Sequence, residues 1–277
     1  MKITIVSYNI SKSLYLQQVV ERYLNNKKDR IVFLQETPKN FGLVDTSPNF
    51  YIPQISGTPN GTIVMFSNNI KSLFVQAEYR KGFLVVRTKY GTFVNVHMPN
   101  IHMMGNDDEK ERAKADYTEI VKDVKSLENL KVVGGDFNLN VFESYMGAAH
   151  ESFWIAKRST KEKPRDYDDF FINPFWSLMY LKKNETPVGT TEVTHHTSVV
   201  SKVVYDQFLI KPDMVNDIYS YGIIDKFENT SIARLSDLAR TAKKLPPIRG
   251  MEYDFDGSYH FPVYITLNFN QGVDNGL

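Results

Sequence analysis

"KVVGGDFNLN", residues 131–140, is a strand-like run that meets two glycines and then presents an acid and an amide. Val132 and Val133 are followed by Gly134, Gly135, Asp136, Phe137 and Asn138. In an extended chain residues i and i+2 point to one side, so Asp136 and Asn138 are expected to face one space together. The glycines are expected to let the backbone turn sharply. Gly, Asp and Asn are also common turn residues, and taken alone the stretch is more simply a turn. The rest of the chain decides between the two readings.

Short apolar runs rich in Val, Ile, Phe and Tyr recur on both sides of it: "ITIVSYNI", "DRIVFLQE", "TIVMFSN", "FLVVRTKY", "TFVNVHMP", "VVYDQFLI" and "FPVYITLNF". Their length and β-branched content predict strands buried on at least one face. Helical patterns lie between them, in residues 14–24, in 111–127 (Tyr117, Ile120, Val121, Val124 and Leu127) and in 231–245, which Pro246 and Pro247 end. Strands outnumber helices and several are adjacent, which predicts a mixed α/β protein with hairpins rather than strict βαβ alternation. No Gly/Ser or Pro-rich tract divides the chain, so one domain is expected over 1–270, with 271–277 a fraying tail. Residues 143–187 have weaker periodicity and hold both tryptophans, Trp154 and Trp176; a long excursion with short helices is expected there.

A chain of 277 residues, 42% hydrophobic, is ordinary for a globular protein. Thirty-three Lys and Arg against 32 Asp and Glu leave a net charge of +1, which gives no bulk signature of a polyanionic partner. Zero cysteines exclude disulfides, thiolate metal sites and cysteine nucleophiles, so any metal must sit on oxygen or imidazole. No apolar run approaches the roughly 18 residues of a membrane span. The N-terminus is too short and strand-like for a signal peptide, which makes the cytoplasm the default location.

Polar residues stand at other strand ends as well. Asn9 ends "VSYN", Glu36 ends "VFLQE", and Asp206 interrupts the apolar "VVYDQFLI". His97 in "VNVHMPN" and His260 in "SYHFPVYI" each sit in an His-x-Pro context beside a strand, a hint of two related halves. A lone Glu at a strand end is usually solvated and a lone strand His is usually hydrogen-bonded in the core. Asp206 is harder to dismiss, because a carboxylate in such a run is costly unless paired, and a histidine is an obvious partner.

Taken in order, Asn9, "LQE" with Glu36, His97, "GDFN", "YDQFL" and a late His before an apolar strand resemble the endonuclease/exonuclease/phosphatase superfamily, nearest its deoxyribonuclease-I-like members. The resemblance runs from residue 9 to about 267, and "FFINPFWSLM" followed by "GTT" (189–191) is similar to bacterial members. It implies a four-layer sandwich of two mixed β-sheets packed face to face, with helices on both outer faces and the polar strand ends gathered at one rim. It also implies hydrolysis of phosphate esters with a divalent metal, Mg²⁺ or Mn²⁺. Glu36 and Asn9 would be metal ligands, Asp136 would orient or deprotonate the attacking water, and Asn138, His97 and His260 would contact phosphoryl oxygens. Asp206 matches the position that hydrogen-bonds the late histidine, fixing its tautomer and favouring its cation.

One departure stands out. The superfamily normally has Asp immediately before the late histidine, and here that residue is Tyr259. Glu36 would then carry more of the metal binding, or Asp254 or Asp256 would substitute, or the site would have changed substrate or lost activity. His195–His196 could be read as a metal pair, but neighbours on a strand point to opposite faces, so a loop is favoured. The basic "KRSTKEKPR" (157–165) could touch a phosphate backbone, though such runs are usually just solvated; His102 and the acidic "NDDEKE" (106–111) are placed on a loop after His97. The leading function is a metal-dependent nuclease with DNA or RNA as substrate. The alternatives are a phosphatase or phosphodiesterase acting on a phospholipid, inositol phosphate or nucleotide, and a binding module that has lost catalysis.

Overall fold

A computed structural model describes residues 1–12, 20, 29–37, 50–51, 53, 61–101, 106–140, 171–179, 190–194, 200–224, 226–227, 230–231 and 260–269. In chain order its strands are β1 (Lys2–Asn9), β2 (Arg30–Gln35), β3 (Phe50–Tyr51), β4 (Ile63–Ser67), β5 (Phe74–Arg80), β6 (Phe83–Thr88), β7 (Gly91–His97), β8 (Leu130–Asp136), β9 (Thr191–Thr194), β10 (Val200–Val203), β11 (Asp206–Ile210), β12 (Ile218–Ile223), β13 (Lys226–Phe227), β14 (Thr230–Ser231) and β15 (Val263–Asn268). The long α-helix among the described residues, α1, spans Asp107–Lys125. A six-stranded sheet runs β12-β15-β1-β2-β4-β3 and a five-stranded sheet runs β11-β8-β7-β6-β5, with two small hairpins, β9-β10 and β13-β14, beside them.

Both large sheets are mixed. Each contains one parallel pair, β1–β2 and β7–β8, among antiparallel neighbours. A parallel pair needs a crossover, and α1 supplies it between β7 and β8. Its helical register follows from Tyr117, Ile120, Val121 and Val124, all buried on one face. The helix begins earlier than the periodicity suggests: Asn106 caps it by accepting from Glu109 N at 2.8 Å, and Asp107, Asp108 and Glu109 fill its first turn. The acidic 107–111 segment is therefore helix rather than loop, stabilised by the positive end of the helix dipole. Of the helix expected over 14–24 only Val20 is described, and it is buried. Apart from Ser231, the segment 231–245 lies outside the described residues, as do Trp154, 157–165, His102, His195–His196, Asp254, Asp256, Tyr259 and the tail.

Side-chain alternation sets the layers. From the first sheet Ile3, Ile5, Ile31, Phe33, Val64, Val263 and Ile265 face Leu84, Val86, Phe93, Val132, Phe208 and Ile210 of the second, forming the core between the sheets. The alternate residues of the second sheet, Phe83, Val85, Val94 and Val133, pack with the apolar stripe of α1. Seven of the eight runs read as strands from the sequence are single strands, and "VVYDQFLI" is divided between the end of β10 and β11. The sequence reading missed β5 and β12 because each is an edge strand with little buried on either face; in β5 only Ala77 is fully buried.

The glycines that opened the reading do not turn the chain. Both lie inside β8, where two neighbours approach too closely for a side chain. A Cβ on Gly134 would stand 2.2 Å from the Phe208 ring, and one on Gly135 (φ +147) would stand 2.0 Å from the Val96 carbonyl oxygen. Gly134→Ala is expected to destabilise the fold by about 1–3 kcal/mol, since the Phe208 ring must shift within a packed core. A urea unfolding midpoint equal to that of wild type would contradict this.

Candidate active site

Strand polarity gathers the polar residues. The parallel pairs deliver their C-terminal ends to one rim, with Asn9 beside Gln35 and His97 beside Asp136. The antiparallel β11 and β15 start where these strands finish, so Asp206 pairs with Asp136, and His260 lies three residues before Val263, which pairs with Ser7 of β1. The apolar "VVYDQFLI" is thus two strands: β10 ends at Val203 and Asp206 begins β11, so the carboxylate stands at a strand start. The His-x-Pro segments are not equivalents, since His97 ends a strand and His260 precedes one.

Period-two alternation also sets direction. Asn9 shares parity with Ile3 and Ile5, His97 with Phe93, Asp136 with Val132, and Asp206 with Phe208 and Ile210, so all four continue the inner faces of the sandwich. Asn9 Nδ2 accordingly reaches across the sheets, donating to Asp136 Oδ2 and to Glu36 Oε1, both at 3.0 Å. Alternation alone would aim Glu36 away from this face, because Gln35 points inward. Its left-handed backbone (φ 49) re-aims the carboxylate toward Asn9 and His97, whose Nε2 is 3.7 Å from Oε1.

Asn138 is not extended. Its φ is 51, its backbone N donates to Asp136 Oδ1 at 2.9 Å, and its side-chain Nδ2 donates to the Met98 carbonyl at 2.9 Å. The i, i+2 geometry expected from the sequence is replaced by a turn that the Asp136 side chain itself closes. Both Asp136 oxygens therefore accept hydrogen bonds, and the side chain is only 1% exposed. Glu36 remains partly exposed, and its Oε2 carries no hydrogen bond among the described residues.

Behind these lies a buried pair. His260 Nδ1 and Asp206 Oδ2 are 2.9 Å apart, and His260 Nε2 is 4.0 Å from Asp136 Oδ2. Burial works against the imidazolium, but Asp206 and Asp136 outweigh it, with the Asp206 hydrogen bond and Glu36 adding to the effect; the His260 pKa is pushed up to about 9. Burial raises the Asp206 pKa, and His260 opposes that rise. Thr190 sets the spacing of the pair: its hydroxyl accepts from Asp206 N at 3.0 Å and its carbonyl accepts from Phe261 N at 2.8 Å.

Asp136, Asp206 and His260 offer atoms within 4.8 Å of one another, the spacing of a metal site. The shortest contact in the group is the Asp206–His260 hydrogen bond, which suits it to holding a proton on His260. The hard oxygen donor that faces the opening is Glu36. Asn9 was a candidate oxygen ligand, but its oxygen accepts from Ser11 N at 3.0 Å and its nitrogen faces the two carboxylates. In this geometry it bridges the acids.

No family model and no curated protein matches the sequence. Solved structures do. The endonuclease domain of TRAS1, a telomere-specific non-LTR retrotransposon, superposes with a TM-score of 0.50 at 14% identity, covering 97% of this chain and 99% of its own. The 3′–5′ exonuclease NExo of Neisseria meningitidis gives 0.55 at 13% identity, over 96% and 100%. NExo from Neisseria as a 3′ phosphatase bound to a product DNA hairpin gives 0.54 at 15% identity, again over 96% and 100%. The chain has the deoxyribonuclease-I-like fold. In this deoxyribonuclease-I-like sandwich both sheets contribute to the rim: Asn9, Glu36 and His260 come from the first, and His97, Asp136, Asn138 and Asp206 from the second.

Sequence reading passed over several residues that hold this site. Gln207, wholly buried, donates to Leu139 O (2.8 Å) and Val204 O (2.7 Å), which ties the loop after Asn138 to the start of β11. Gln35 and Asn95 lie behind Glu36 and His97. Their common signal is an amide inside an apolar strand, as in "IVFLQE", "FVNVH" and "YDQFL".

Proposed function

We propose that the chain is a divalent-metal-dependent phosphodiesterase that hydrolyses DNA or RNA. The observation that carries this reading is the convergence of a partly exposed carboxylate, Glu36, with a buried Asp136 and a histidine kept cationic by a second buried acid. Glu36 would hold Mg²⁺ or Mn²⁺, with Asn9 fixing its distance from Asp136; the bound ion would polarise the phosphoryl oxygens and stabilise their developing charge.

Asp136 orients the attacking water and takes its proton. Its carboxylate is fixed by Asn138 N and Asn9 Nδ2, so little reorganisation is needed at the moment of attack. His260, cationic below about pH 9, offers a charge-assisted donor to a phosphoryl oxygen. His97 and Asn138 flank the same space and would contact the remaining oxygens. Nucleic acid as substrate draws support from the similar structures, which are named as an endonuclease domain, an exonuclease and a phosphatase with a DNA product. No helix among the described residues is long and apolar enough to cross a membrane.

Plasmid, single-stranded DNA, RNA and a generic phosphodiester, each with Mg²⁺, Mn²⁺ or chelator, test the proposal. Cleavage of at least one nucleic acid with either metal, and its loss in chelator, is expected. Cleavage of none with either metal would leave a binding module as the better reading.

A further inference from the structure

Asn95 and Gln35 form a polar cluster where an apolar core would otherwise continue. Both are 0% exposed. Asn95 is on the inner face of β7, between Phe93 and His97, and reaches across to the first sheet. There its Nδ2 donates to Leu34 O and to Ile63 O, each at 3.1 Å. Its Oδ1 accepts from Gln35 Nε2 at 2.6 Å, and the same nitrogen donates to Ser7 Oγ at 3.0 Å. Gln35 Oε1 is buried and has no hydrogen-bond partner among the described residues. An unsatisfied buried amide oxygen is costly and calls for a reason.

The place of the contact supplies one. Leu34 and Ile63 form the terminal pair of the β2–β4 ladder. Beyond them the chain leaves the ladder: Glu36 takes its left-handed turn, its carbonyl accepts from Lys12 N at 2.6 Å, and Thr37 N donates to Gly61 O at 2.8 Å. Asn95 therefore closes the end of that ladder with a side chain from the opposite sheet. Its own strand carries His97 two residues on, and β7 pairs with the strand that carries Asp136. One side chain thus ties the segment that presents Glu36 to the segment that presents His97 and Asp136.

We propose that Asn95 and Gln35 are positioning residues that fix the Glu36 turn relative to His97 and Asp136. The proposal rests on the hydrolytic reading for its kinetic consequence, but not for its structural one. Asn95→Ala removes three buried hydrogen bonds and leaves a cavity, and can fail to fold; the paired change Gln35→Met with Asn95→Leu removes the Gln35–Asn95 hydrogen bond from both sides and keeps the space filled, which leaves fewer stranded polar groups than either single truncation. In the folded double variant the amides of Lys12 and Thr37 are expected to exchange with solvent about ten-fold faster or more, while those of the β1 and β2 interiors keep their protection. With a substrate that wild type cleaves, kcat is expected to fall about 10²-fold with KM nearly unchanged, as for a catalytic group displaced by about 1 Å.

A folded double variant with wild-type exchange at Lys12 and Thr37 would overturn the proposal. So would uniform loss of protection across β1, β2 and β4, which indicates a merely structural role. If wild type cleaves no substrate the hydrolytic reading fails, and the exchange measurement still decides the positioning role. Wild-type kcat in the double variant, with wild type active, would overturn the positioning role and leave the hydrolytic reading standing.

Discussion

Asp136→Asn is expected to lower kcat for the proposed phosphodiester hydrolysis by about 10³-fold, with a smaller change in KM. The substitution keeps the size of the side chain and removes its charge, its basicity and one acceptor. Asp136 Oδ1 accepts from Asn138 N and Oδ2 accepts from Asn9 Nδ2. An amide can satisfy one of these donors; its NH₂ group then faces the other, whichever way it is turned. The turn at Asn138 or the bridge to Glu36 must therefore loosen along with the loss of the base. A second consequence is spectroscopic. Asp136 is one of the charges that raise the His260 pKa, so that pKa falls in the variant, and imidazole ¹⁵N shifts followed against pH report it. A folded variant retaining more than a tenth of wild-type kcat would remove Asp136 from the reaction; an unmoved His260 titration would contradict the electrostatic account of the site.

The strands and the convergence of the site were legible for the same reason. Period-two alternation places Asn9 with Ile3 and Ile5, and Asp136 with Val132, so a polar residue at the end of a buried face announces a rim. Local conformation hid what remained. Nothing in "LQET" states that Glu36 takes φ 49, yet that backbone brings its carboxylate to Asn9. "GGDFN" suggests a glycine turn, whereas the turn is made by Asn138 and closed by the Asp136 side chain. The glycines respond to Phe208 and Val96, distant in sequence and invisible to any local reading. The buried amides Gln35, Asn95 and Gln207 bond to side chains and backbone carbonyls of other segments, and such contacts leave no spacing pattern in a sequence.

Asp206→Asn tests the buried half of the site and separates a charge effect from a packing effect. The carboxylate is the foremost charge raising the His260 pKa, and it is wholly buried 2.9 Å from Nδ1. With Asn in its place the hydrogen bond can persist, but the imidazolium loses its nearest counter-charge. At pH 8 wild-type His260 is still mostly cationic and the variant's is expected to be less so, so kcat is expected to fall by about 10²-fold there and to recover in part toward pH 6. In chelator-treated protein, stability carries the same signature with a definite sign. A histidine raised from 6.5 to about 9 contributes stability that is fully present below pH 6.5 and is lost as the pH rises toward 9. The wild-type Tm is therefore expected to fall across this interval. In Asp206→Asn the fall contracts, because the His260 pKa lies closer to its unfolded value. Equal pH–Tm slopes in the two proteins would show that Asp206 does not set the protonation of His260. Equal kcat at pH 8 would show that the histidine's charge does not contribute to turnover.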